Sequence, residues 1–481
     1  MTAFVPADDV GILESPDEVL STLRLDGSRR WLYPTPSKGR FWRRRQTVGW
    51  ALIAFFVSLP IVRVGGKPAV LLDVAAREFT FFGFTFYPTD TFLLLLAGIG
   101  ILVSVALVTA LLGRVWCGWA CPQTVYLEFF YRPVERLVEG AEHVRARRDA
   151  GPWTLDKAWR KAVKWSIYLV ASALLAHTFT AYFVGWDRLL GWMTGPPTEH
   201  WPYFVLAALT TGLVLFDFGY FREQMCTITC PYGRFQSILL DPHSMIVSYD
   251  PSRGEPKAKR GKKAIAQEKA GEKPPLGDCI DCGACVRTCP TGIDIRDGLQ
   301  MECVACTQCI DACDSIMDAV DLPRGLIRYT SENAIEGRPT RVFRGRTVAY
   351  GALLVAVAAV FTVALTTRHA YDIDLGRAVG QPYLEMADGR VANRVRLRVR
   401  NQTATAATFG AQLVVPEGGE LRLGTTPPIA VDARQQVRVE GAITVPAATF
   451  EGTAEVPAVV RFTFDNGSTQ DVPFTLLGPS R

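Results

Sequence analysis

Eight of the chain's 12 cysteines fall in two matched runs, Cys279-x-x-Cys282-x-x-Cys285-x-x-x-Cys289 and Cys303-x-x-Cys306-x-x-Cys309-x-x-x-Cys313. Thiolates this closely spaced can wrap a cube of iron and sulfide, with the last Cys of each run crossing to the other cluster. The spacing therefore assigns Cys279, Cys282, Cys285 and Cys313 to one [4Fe-4S] cluster and Cys303, Cys306, Cys309 and Cys289 to a second. Paired C-x-x-C units also build zinc ribbons, but two complete matched sets favour one-electron chemistry. The runs differ at one point: Pro290 follows Cys289, whereas Asp314 follows Cys313.

The rest of the chain is governed by long apolar stretches, Val48–Val64, Thr91–Leu112, Val163–Val184, Pro202–Phe218 and Val348–Leu365. Each approaches the roughly 20 residues a helix needs to cross a bilayer, so a membrane protein with five transmembrane helices is expected. Basic residues set the orientation. Arg29, Arg30, Lys38, Arg40, Arg43, Arg44 and Arg45 precede the first stretch. Arg132, Arg136, Arg145, Arg147, Arg148, Arg160 and Lys161 lie between the second and third. Both segments, and the cysteine-rich segment after the fourth stretch, are expected in the cytoplasm, with the tail outside. No cleavable signal peptide is expected, since the first apolar run starts too late. All the cysteines then fall in cytoplasmic segments or at cytoplasmic helix ends, which suits ligands rather than disulfides. The net charge of +5 carries no sign of nucleic-acid binding.

The second and fourth stretches end alike, in Cys117-Gly-Trp-Ala-Cys121-Pro122 and Cys226-Thr-Ile-Thr-Cys230-Pro231. A helical hairpin closed by C-x-x-x-C-P thus occurs twice, which reads as an internal duplication. Pro suits the first position of a helix, so Cys121 and Cys230 should sit at helix N-termini, where the dipole favours thiolate. Cys117, Cys121, Cys226 and Cys230 could converge on one soft ion: Cu(I), zinc and iron–sulfur all fit, and a purely structural turn or zinc clamp stands beside them. His177 is an intramembrane ionisable group, but with no second His at matching depth it reads as packing rather than as a haem ligand. Asp90 and Asp217 suit span-end solvation, and Trp116, Trp119, Trp186, Trp192 and Trp201 an interfacial belt.

The expected domains are an N-terminal cytoplasmic segment (1–45), a four-helix membrane core with both repeats (46–250), a flexible charged linker (251–275), a two-cluster ferredoxin-like domain (276–330), a fifth transmembrane helix (346–367) and a β-domain (369–481). So small a cluster domain buries little core, and its clusters should supply much of its folding energy. In the tail, period-two alternation at Val395–Arg400 and Val437–Val439, a β-branched run at Gln412–Val415, and the Asn466-Gly467 turn between Phe462–Phe464 and Val472–Phe474 predict an all-β immunoglobulin-like sandwich.

The stretch from Cys289-Pro-Thr-Gly-Ile-Asp to Met-Glu-Cys303, both C-x-x-x-C-P repeats and the span layout resemble the cytochrome c oxidase accessory protein family (CcoG/FixG-like). The resemblance covers nearly the whole chain. It implies a polyferredoxin-type protein of the bacterial inner membrane, with its Fe–S domain cytoplasmic and its C-terminal domain periplasmic, assisting assembly of a cbb3-type oxidase. Family members look like cupric reductases, so the resemblance implies electrons passing through the clusters to Cu(II) held at Cys117, Cys121, Cys226 and Cys230. Oxidase assembly factors or a copper chaperone would be partners, with the electron donor unidentified and a homodimer among the allowed assemblies. A NapH-like quinol dehydrogenase, sharing the same cysteine plan, and a non-enzymatic assembly scaffold are the competing readings.

Overall fold

The computed structural model describes residues 22–23, 28–87, 90–272, 274–367, 370–403, 405–433 and 435–479. The chain forms two compact units, Met1–Phe361 and Thr362–Arg481. Much of the expected N-terminal segment, residues 1–21 and 24–27, lies outside the described residues.

Four helices among the described residues are long and apolar enough to cross a membrane: Thr91–Leu112, Leu155–Val184, Pro197–Phe221 and Gly345–Thr366. Only 11% of the apolar window of Thr91–Leu112 and 0% of that of Gly345–Thr366 is buried in protein, so these faces belong in lipid rather than water. This is a membrane protein. The count differs by one from the five expected. The first apolar stretch, Val48–Val64, is cut at Ser58, because its helix is Arg40–Ser58 and opens on four arginines. That helix still runs beside Leu155–Val184, where Tyr182 Oη donates to Phe56 O at 2.6 Å. At the same end of the bundle Arg63 pairs with Asp187, and Arg188 with Asp73 at 3.2 Å. The links after the first and third apolar stretches therefore meet at one end of the bundle.

The cysteine-rich segment packs at the opposite end. Strands Ile246–Tyr249 and Ile327–Thr330 pair antiparallel and bracket it. The 251–275 stretch, expected as a flexible linker, is instead folded onto the cluster region. Helices Pro251–Gly254 and Lys262–Lys269 occupy it, Ala258 N and Cys279 N bond to Cys279 O and Gly254 O at 3.3 Å, and Ile265 is buried. Its charges find partners: Arg253 reaches Asp278 at 2.5 Å and Arg260 reaches Glu268 at 3.2 Å. Composition alone reads as solvated here because it shows charges but not the pairs they form.

The second unit is a β-sandwich. One sheet orders Glu420–Leu423, Gln436–Pro446, Arg390–Asn401 and Tyr371–Arg377, with Leu384–Glu385 also on Arg390–Asn401. The other orders Ile429–Val431, Ala407–Val415, Glu455–Phe464 and Thr469–Leu477. Val391, Val395, Leu397 and Val399 face the core while Arg394 and Arg396 face out, the alternation a half-buried strand requires. The Asn466-Gly467 hairpin forms, with Gly467 at φ 79°.

Candidate metal centres

Each cysteine run folds as a loop with two residues in the left-handed region: Asp281 (φ 48°) and Gly283 (φ 65°) in the first, Ala305 (φ 51°) and Thr307 (φ 62°) in the second. These positions are equivalent. Three of the four are not glycine, and a side chain there costs about 1–2 kcal/mol. Such strain persists where the surroundings over-determine it, commonly at functional sites. The loops line two small cavities of about 20 Å3 each. Cys289, Cys303, Cys306 and Cys309 face the first, with Cys285 on the shared wall. Cys279, Cys282, Cys285 and Cys313 face the second. The other walls are mostly apolar, including Val247, Ile293, Ile295 and Val304 at the first. The enclosed, sulfur-lined chemistry fits an iron–sulfur cube in each. The Asp314 departure is also explained: Pro290 ends the helix Ala284–Thr288 at Cys289, whereas Gln308–Ala319 continues through Cys313, and Asp314 Oδ1 accepts from Gly325 N at 3.0 Å.

The C-x-x-x-C-P motifs lie near the ends of Thr91–Leu112 and Pro197–Phe221, with a matching backbone. Cys121 (φ −63°, ψ 126°) and Cys230 (φ −66°, ψ 112°) are both extended ahead of a Pro-initiated helix. Cys121 N donates to Trp116 O and Cys230 N to Met225 O, both at 2.8 Å. The residue two past the second Cys then crosses to the other repeat. Gln123 Nε2 bonds Asp217 Oδ1 at 3.1 Å, and Tyr232 Oη lies 3.0 Å from Thr109 Oγ1. Asp217 and Thr109 stand equally far before Arg222 and Arg114, so the contacts are related by the duplication.

The four sulfurs are close enough to act on one another electrostatically. Among the described residues, however, no three His, Cys, Asp or Glu side chains stand close enough to hold a single metal ion. The thiolate character expected at the helix N-termini is overturned at Cys121. Burial pushes the Cys117 thiol up to about 12, with neighbouring Cys121 adding to it, and raises Cys226 as well. Burial also raises Cys121, outweighing the amides of Gln123 and Thr124. Desolvation disfavours an uncompensated anion, so a cation must arrive for these sulfurs to ionise.

The first C-x-x-x-C-P turn lies directly against the second cysteine loop. A Cβ on Gly118 would stand 2.5 Å from Ala305 O and 2.7 Å from Val304 O. Trp119 Nε1 donates to Tyr329 Oη at 2.9 Å, and Tyr329 Oη to Ala305 O at 3.3 Å. Arg114 reaches Cys303 O at 3.1 Å, and Arg45 Nε donates to Gly118 O at 2.8 Å. Gln236 is fully buried, its Oε1 3.5 Å from Cys117 Sγ and its Nε2 without a partner among the described residues. Sequence reasoning missed Gly118, Arg45 and Gln236. Only the matched spacing of Gln123 and Tyr232 after their cysteines hinted that the residues following each motif cross between repeats.

His177 Nδ1 lies 2.7 Å from Ala173 O in its own helix, in keeping with packing. Around the membrane end runs a buried ion network. Arg132 binds Glu128, Glu223 Oε2 at 3.3 Å and Pro290 O at 3.2 Å, while Arg29 binds Glu223 Oε1 at 2.8 Å. Glu135 holds Arg222 at 2.9 Å and also Arg145. Lys161 and Lys164 share Glu139 Oε1 at 3.1 Å each.

Residues 221–332 match the family described as 4Fe-4S dicluster domain, residues 94–139 a 4Fe-4S binding domain, and residues 361–479 the IG-like fold at the C-terminal of FixG. The chain is 35% identical to Protein RdxB of Cereibacter sphaeroides over 92% of its own length and 94% of that protein's. It is 35% identical to Protein RdxA of the same organism over 85% and 88%. To the nitrogen fixation protein FixG of Rhizobium meliloti it is 39% identical, over 67% of this chain and 62% of FixG.

Proposed function

Because the chain belongs to the family of FixG, RdxA and RdxB, membrane iron–sulfur electron-transfer proteins, we propose that it reduces Cu(II) to Cu(I) for copper-centre assembly of a cbb3-type oxidase. Cys279, Cys282, Cys285 and Cys313 hold one cluster, and Cys303, Cys306, Cys309 and Cys289 the other. When bound, the clusters supply single electrons. Cys117, Cys121, Cys226 and Cys230 take Cu(II), and one electron leaves it as Cu(I), which soft thiolates favour. A pair of thiolates suffices for Cu(I), so the wide placement of the four sulfurs is no obstacle. The arriving cation also provides what these buried thiols need in order to ionise. The observation that carries the reading is the seating of Gly118, next to Cys117, on the carbonyls of Val304 and Ala305. It sets the first C-x-x-x-C-P turn directly against the cluster loop. The cysteine-rich side faces the cytoplasm, where thiols stay reduced, and the sandwich faces the periplasm.

The test uses full-length, cluster-loaded protein, reduced, freed of reductant and mixed with Cu(II) and a Cu(I)-specific chelator. Cu(I) should form in step with cluster reoxidation. Cys117→Ser with Cys226→Ser should stop it while the cluster spectra persist; an unchanged rate would remove these sulfurs from the reaction. Gln236→Leu removes the buried amide beside Cys117 and should weaken copper binding by about 10–100-fold, the usual cost of losing a hydrogen bond behind a metal ligand. Competition titration against a chelator measures it, and equal affinity would discount Gln236.

A second reading rests on the 4Fe-4S match over residues 94–139, which contain Cys117 and Cys121. On that reading the four thiols hold a third cluster. Iron per polypeptide decides between them: the content of two clusters favours copper, and that of three favours the alternative.

A further inference from the structure

Arg45 is fully buried. Its Nε is spent on Gly118 O, and its Nη1 and Nη2 have no partner among the described residues. Buried donors left idle are costly, so Nη1 and Nη2 call for an acceptor that protein atoms do not supply. The nearby carboxylate, Glu128, is already taken by Arg132 and by Gln308 Nε2 at 3.0 Å. What remains is the cavity of Cys289, Cys303, Cys306 and Cys309. Arg45 sits over Gly118, which itself touches Val304 and Ala305 inside that loop. Arg114 adds a second cation whose partners there, Met301 O and Cys303 O, are uncharged carbonyls.

The other cavity is differently furnished. Its one lining cation, Arg296, is neutralised by Asp294 and by Asp281 at 2.6 Å. The carboxylate of Asp314 follows directly on Cys313. Four thiolates leave a cluster with net negative charge, which grows by one on reduction, and a buried cation with idle donors stabilises the reduced form.

We propose that Arg45 raises the reduction potential of the cluster held by Cys289, Cys303, Cys306 and Cys309 above that of its neighbour. The electron then rests beside Gly118 and Cys117 rather than in the far cavity. This rests on the cluster reading above. Its test is an EPR-monitored redox titration of the full-length, cluster-loaded protein and its Arg45→Met, Arg45→Lys and Arg45→Gln variants. Arg45→Met should lower the higher of the two midpoint potentials by at least a tenfold change in the reduction equilibrium, about 59 mV for one electron. The lower potential should stay put, and Arg45→Lys should retain most of the wild-type value. If Arg45→Met does not load clusters, a drop in Arg45→Gln but not in Arg45→Lys supports the assignment. Two unmoved potentials, equal shifts in both, or a shift in the lower one alone would overturn it. Wild-type protein without EPR-active iron would remove the cluster reading, and this assignment with it.

Discussion

Arg132→Met should destabilise the folded protein by about 3–5 kcal/mol, the cost of stranding a buried charge whose partner is removed. Arg132 is wholly buried, and its guanidinium joins three parts of the chain: Glu128 on its own helical segment, Glu223 beside the second C-x-x-x-C-P motif, and Pro290 O next to Cys289. Without it Glu128 keeps only the amide of Gln308, and Glu223 keeps Arg29 and a distant Arg222 at 3.9 Å. The double variant Arg132→Met/Glu128→Gln should recover part of the loss, because deleting both charges of a pair costs less than deleting one. Thermal melts of detergent-solubilised protein measure this, and a wild-type melting temperature for Arg132→Met would show that the network adds nothing.

The pH dependence has a definite sign. Burial would raise the Glu128 carboxyl, but Arg132, Arg45 and Arg136 hold it below the ordinary range. Burial likewise opposes Arg222, Arg145 and Lys164 at Glu135, which they bring down to about 2. Carboxylates depressed in the fold contribute stability that is complete above the unfolded value and fades as pH falls through the folded one. The wild-type protein should therefore hold its melting temperature down to about pH 4.5, the ordinary Glu value, and lose it progressively toward about 2. In Arg132→Met the loss should begin at higher pH, since Glu128 no longer has its main partner.

This network also marks what could be read in the sequence and what could not. The ligand runs, the duplicated C-x-x-x-C-P motif and the alternating strands of the tail are local patterns, and local spacing is what a sequence displays. The arginines are different. Arg29, Arg45, Arg132 and Arg145 read naturally as basic residues flanking membrane spans, yet in the fold Arg45, Arg132 and Arg145 are buried and Arg29 half-buried, three of them against Glu223, Glu128 or Glu135 and Arg45 against Gly118 O. A charge spent on a partner inside the fold says less about membrane orientation than a free one, and the sequence does not distinguish them. The 251–275 stretch misleads in the same way, its polar composition concealing contacts to Gly277, Asp278 and Cys279. The thiolate expected at Cys121 failed for a related reason: dipole position is visible in sequence, whereas the burial that outweighs it is a property of the assembled hairpins.

Gly118→Ala should slow electron delivery from the reduced clusters to Cu(II) several-fold, since electron transfer weakens steeply as donor and acceptor move apart. The glycine lies within the helix Val115–Trp119, so a left-handed backbone is not what calls for it; space is. An added methyl would meet Ala305 O at 2.5 Å and Val304 O at 2.7 Å, and a Cβ essentially never stands so close to another atom. Those are main-chain oxygens between Cys303 and Cys306, so relief requires the turn bearing Cys117 to back away from the loop. Stopped-flow mixing of reduced protein with Cu(II), followed through the cluster absorbance, measures the rate. Copper affinity and cluster content should stay near wild type, which separates a lengthened path from a lost site. Gly191→Ala, whose methyl would meet nothing within 4 Å, controls for the substitution itself. Electrons that crossed Gly118→Ala at the wild-type rate would have to reach copper by another route, and the contact between the two cysteine sets would then be a structural joint alone.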